Sequence, residues 1–156
     1  MVASGYAACR GRKAGAEHVE PVAFVSHDAR LLGRMLSLPA VPLAVVFEEV
    51  PLGTPGGLGP TDYALVAVLR FDPGVVRGLA ASGAFADASS TELVTVPTRP
   101  WFPADLQAKL RPLDAARAVV PGRALAPEPF LRPRYSSGSV TAVDGTDCVI
   151  VTCATS

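Results

Sequence analysis

The chain has 156 residues, 14 Lys+Arg against 14 Asp+Glu for a formal net charge of zero, and is 49% hydrophobic and 18% charged. That length suits one domain with a single core, and the apolar content places it outside the disordered class. The charge balance argues against a general nucleic-acid binder, and no run approaches the roughly 18 apolar residues of a membrane-spanning helix.

The basic residues are twelve Arg and two Lys, Ile occurs once and Asn is absent. This reads as a GC-rich coding bias, so arginine abundance alone carries little chemistry. Fourteen Gly and fifteen Pro imply many turns and modest helix content.

Residues 1–21 lack periodicity and are expected to form a mobile arm ahead of one α+β domain over 22–156. Tyr6-Ala7-Ala8-Cys9 is similar to the end of a lipoprotein cleavage box. Residues 1–5, however, supply neither a basic region nor an apolar stretch long enough for an export signal. As written the sequence reads as cytoplasmic, and as cell-envelope if a leader lies upstream. Next, Asp28 is placed to cap a short helix carrying Leu31, Leu32, Met35 and Leu36, ended by Pro39. Leu43 to Val50 is rich in β-branched and aromatic residues and reads as a strand. Gly53 to Pro60 reads as a flexible connection. Tyr63 to Phe71 is nearly continuous in apolar residues, as for a central strand covered on both faces.

Asp72 and Pro73 then supply the cap and first position of a second helix, with Val75, Val76, Leu79 and Ala80 on its buried stripe and Gly83 as its stop. Thr91 to Pro97 is a candidate short strand, and Ala104 to Leu110 one or two helical turns. Residues 111–134 hold five Arg and five Pro and are expected to run irregularly over the surface. Val140–Val143 and Thr146–Cys153 flank Asp144-Gly145, the pair favoured in a type I′ turn. That turn sets Val143 opposite Thr146, Thr141 opposite Cys148 and Val140 opposite Val149. The expected fold is therefore an antiparallel sheet with one or two helices packed on one face and a C-terminal β-hairpin.

The chemistry is sparse. Cys148 and Cys153 fall on opposite faces of one strand, roughly 17 Å apart, too far for a disulfide. They read as buried thiols, with Cys9 the one cysteine able to reach either. Two histidines and no Cys-x-x-Cys supply no metal site, and no cofactor is expected. The Gly53–Pro60 loop leads into a strand with no lysine nearby, unlike a phosphate cradle. Glu48 and Glu49 are adjacent on a strand and so cannot form a carboxylate dyad. One is expected to face solvent and the other a sheet edge or partner.

Trp101 and Phe102, between two prolines, either plug the core or anchor a binding surface. With Gly56 and Gly57 in the loop, and Arg132 and Arg134 in the proline-rich stretch, they form the candidate binding set. The order of elements from Leu38-Pro39-Ala40, through the Gly-rich loop and Trp101-Phe102-Pro103, to the final hairpin resembles small bacterial secreted or lipoprotein-type domains. It covers residues 38–153, brings no catalytic residues and implies an envelope accessory protein. The functional expectation is a non-catalytic binding domain with a protein partner, an immunity-type inhibitor being one form of it. The alternative is a small hydrolase using His27 and Asp28. It requires His27 to lie within hydrogen-bond reach of a nucleophile or carboxylate.

Overall fold

Alternation of side chains along extended backbone governs most of this molecule. The computed structural model describes residues 24–52, 62–81 and 92–155. The 1–21 arm, the Gly53–Pro60 loop with Gly56 and Gly57, and the Gly83 helix stop lie outside the described residues. The elements in chain order are β1 (Phe24–Ser26), α1 (Ala29–Met35), β2 (Ala44–Leu52), β3 (Asp62–Arg70), α2 (Pro73–Ala81) and β4 (Glu92–Pro97). They continue with α3 (Ala104–Gln107), β5 (Arg111–Pro112), β6 (Arg117–Leu125), β7 (Ser137–Val143) and β8 (Cys148–Ala154). The strands form one antiparallel sheet in the order β1-β2-β3-β8-β7-β6-β4, with β5 pairing β6.

β3 is central and covered on both sides. Leu65, Ala67 and Leu69 enter one apolar cluster with Val45, Phe47, Val149, Val151 and Cys153. Val66 and Val68 enter the other with Val46, Ile150 and Cys148. The first face receives α1 through Leu32, Met35 and Leu36, and α2 through Leu79 with Val75 and Val76. The second face receives α3 through Leu106, together with Phe102. α1 and α2 thus share one face, and the four-residue α3 lies on the other. Val96 of β4 and Val120 of β6 join Val46 and Val66 in that second cluster, so the far end of the sheet curls over its own middle.

Local signals explain the helices. Asp28 accepts hydrogen bonds from the Arg30 and Leu31 amides at 2.8 and 3.1 Å and starts α1. The helix stops at Met35, before Pro39, because Leu36 is already extended and the Ser37 amide donates to the Phe130 carbonyl at 2.9 Å. Asp72 accepts from the Gly74 amide at 2.7 Å, and its carbonyl accepts from the Val75 and Val76 amides to open α2.

Two expectations are corrected. The stretch from 111 to 134 is not irregular throughout: Arg117–Leu125 is a nine-residue strand inside the sheet. Ala118, Val120, Gly122 and Leu125 are buried there, while Arg117, Arg123 and Ala124 are exposed. Pro121 sits where one edge of β6 passes from β5, last paired at Val119, to β7, first paired at Gly122. A strand tolerates proline where ladder pairing is interrupted.

The β7–β8 register is also displaced by two residues from the type I′ expectation: Ala142 faces Val149, Thr141 faces Ile150 and Val140 faces Val151. Of the two turn centres, Asp144 and Gly145, only Gly145 adopts positive φ, at 68°. Thr146 spends its amide and hydroxyl on the Val143 carbonyl, at 3.3 and 2.9 Å, and the Asp147 carbonyl accepts from the Phe71 amide at 3.1 Å. Both residues therefore belong to the turn. A shift of two leaves every side chain on its expected face, where a shift of one would invert them.

Candidate functional site

β2 presents two adjacent acids to opposite faces, and each organises a cluster. Neither projects freely into solvent: Glu48 is buried, and Glu49, 21% exposed, is held by neighbouring side chains. Glu48 is 4% exposed; its carboxylate pairs with the Arg99 guanidinium and accepts from the Trp101 indole N–H at 2.8 Å. Arg99 also donates to the Thr98 carbonyl at 2.8 Å. On the other face, Glu49 accepts from the Tyr135 hydroxyl at 2.9 Å and pairs with Arg134 at 2.8 Å. Arg134 lies 5.3 and 5.7 Å from the ring centroids of Tyr63 and Tyr135. Burial, with the Glu49 carboxylate beside it, pushes the Tyr135 hydroxyl well above its ordinary pKa.

The sequence-derived binding set is therefore split. Phe102 is 3% exposed and plugs the second face, its ring meeting Trp101 edge-on at 4.9 Å. Trp101 is half-buried. Arg134 serves the opposite face, and Arg132 donates to the Leu36 carbonyl at 3.1 Å, closing off the end of α1.

A cleft of about 290 Å³ lies beside Trp101, walled by Ala44, Val46, Val68 and Pro103, with His27 and Arg70 at its polar end. That volume falls at the lower limit of small-molecule sites, about 300–1,000 Å³, and fits one side chain better than a cofactor. His27 Nδ1 donates to the Val45 carbonyl at 3.2 Å, which leaves Nε2 as an acceptor in the neutral ring. Sequence reasoning missed Glu48 and Arg99 as the groups that orient Trp101. The available signal was a pair of carboxylates, Glu48 and Glu49, in an otherwise apolar strand. Exposed Val41 lines a separate hollow beside α1, with Ala29, Leu38 and Ala40.

Ser26-His27-Asp28 does not assemble a reaction centre. Ser26 Oγ accepts from the Asp28 amide at 3.2 Å, and Asp28 is spent on α1. Those helix amides, Leu31 first, hold its carboxyl below the usual range. Among the described residues, no Ser, Thr, Cys or carboxylate hydrogen-bonds His27.

Asp105, Asp147 and Cys148 offer ligand atoms within 4.8 Å of one another. Arg70 already pairs with both carboxylates, at 2.6 Å to Asp147, and supplies the positive charge that a metal would bring. Its hydrogen bond holds the Asp105 carboxyl below the usual range. Burial raises the Cys148 thiol to about 11 and the Cys153 thiol to about 12, so both stay protonated and poorly nucleophilic.

No protein-family model, curated protein or solved structure matches this chain. The resemblance to secreted or lipoprotein-type domains thus stands on its element order alone.

Proposed function

We propose that this chain is a non-catalytic recognition domain that takes an apolar side chain of a protein partner into the Trp101 cleft. The observation that carries this reading is the cleft itself: walls of Ala44, Val46, Val68 and Pro103, the Trp101 indole beside them, and a volume too small for most cofactors. The surrounding ionisable groups support it. Glu48, Arg99, Arg70, Asp105 and Asp147 are paired with one another, and both described cysteines are buried. An accessory or immunity-type partner of another protein is a form of this function.

The test is a titration of the labelled chain with N-acetyl-leucinamide, an apolar side chain between two amides. The Trp101 indole N–H resonance is expected to shift saturably, and Ala44→Glu, which places a charge on the cleft wall, is expected to abolish the shift. An indole signal indifferent to the probe contradicts the proposal.

A further inference from the structure

A guanidinium keeps its charge at every physiological pH, so arginines sharing a concave surface without a carboxylate partner leave positive potential uncompensated. Arg70, Arg99, Arg117 and Arg134 each pair with a carboxylate. Among the described residues Arg77 and Arg123 have no such partner, and both line one concavity of about 390 Å³ between α2 and the β7–β8 turn. They lie far apart in sequence and reach it from a helix and a strand.

A third cation approaches the same turn. The Lys109 ammonium lies 3.3 Å from where a Cβ on Gly145 would stand. Asp144 also lines the concavity, but among the described residues it forms no ion pair with any of the three. Asp147, the turn's other carboxylate, is held by Arg70, so the concavity itself presents two guanidiniums to one carboxylate, with the Lys109 ammonium near Gly145. The α2 N-terminus is not part of the attraction, because Asp72 already caps it.

We propose that this concavity binds a phosphate group, with Arg77 and Arg123 as the two clamps. Two guanidiniums can share the oxygens of a dianionic tetrahedral group in a way that a point charge cannot. Pro73, Val76 and Ala81 give the concavity an apolar wall against which the carbon skeleton of a phosphate ester would lie.

The full chain, titrated with inorganic phosphate at an ionic strength held constant with chloride, tests this by amide NMR. Saturable shifts are expected at Gly145 and Thr146. Arg77→Gln and Arg123→Gln are each expected to weaken binding about tenfold or more, the usual scale for losing a charge-assisted hydrogen bond. Asp144→Asn, which removes the opposing charge, is expected to tighten it. Arg111→Gln, on a solvated strand elsewhere, is expected to leave it unchanged. Glycerol phosphate binding more tightly than inorganic phosphate identifies an ester as the source, and equal binding identifies the free anion. The proposal is overturned by shifts that do not saturate, by chloride reproducing them, or by Arg111→Gln weakening binding as much as the clamp variants.

Discussion

Glu48 carries its charge where almost no water reaches it, and its two oxygens have separate partners. One faces Arg99 and the other accepts the Trp101 indole hydrogen. Removing the charge while keeping the shape separates those roles. Glu48→Gln can still accept from the indole, but it turns an amide toward the Arg99 guanidinium. Arg99 is about a quarter exposed (26%) and water relieves part of its loss, so the expected cost is about 1–3 kcal/mol in urea unfolding. An unchanged midpoint would mean that the ion pair does not hold Trp101 in place. The thiols give a second residue-scale prediction. With Cys148 and Cys153 raised to about 11 and about 12, both should resist a thiol reagent in the native chain at pH 8 and react on unfolding. Rapid native labelling of either contradicts their burial.

At the scale of elements, two glycines separate backbone crowding from helix propensity. A Cβ on Gly122 would lie 2.6 Å from the Ala142 carbonyl oxygen, where β6 crosses closely onto β7. Gly122→Ala must push two paired strands apart and should cost about 1–3 kcal/mol. Gly78, on the exposed side of α2, has nothing within 4 Å of such an atom. Gly78→Ala should therefore stabilise by roughly 0.5–1 kcal/mol, giving opposite signs for the same substitution. Matched denaturant midpoints check both.

The contrast also shows what the sequence could reveal. β3 was legible because a covered strand needs an unbroken apolar run, and α1 and α2 because Asp28 and Asp72 announce their starts. β6 was hidden by Pro121 and Gly122, which read as breakers. Their role depends on strands far away in sequence, although Ala118-Val119-Val120 is a short apolar run that ends in two β-branched residues. The two-residue displacement of the β7–β8 register was equally invisible, since it depends on Phe71 claiming the Asp147 carbonyl. Of the candidate binding residues, Trp101 could be picked out from its rarity and proline setting. Its partner Glu48 could not, because nothing local says that residues 48 and 101 meet.

For the whole molecule, the covered faces of the sheet predict a direction of pH dependence. Tyr135, Cys148 and Cys153 all hold their protons more tightly folded than at their ordinary values of 10.0, 9.0 and 9.0. Between those values and the folded ones, the unfolded chain releases protons that the folded chain retains. Stability is therefore full below about pH 9 and falls as pH rises toward 11. Denaturation midpoints across pH 8 to 11 check the sign, and a rising midpoint would contradict it.

The larger claim is that the molecule's buried charges serve architecture and leave the Trp101 cleft for recognition. A photo-reactive residue replacing Ala44, on the cleft wall, would capture whatever seats there. The captured protein, purified, can then be measured against the wild-type chain and Ala44→Glu. At least a tenfold loss of affinity in the variant, with the native fold retained, is the predicted result; equal affinity for the two chains would contradict the account.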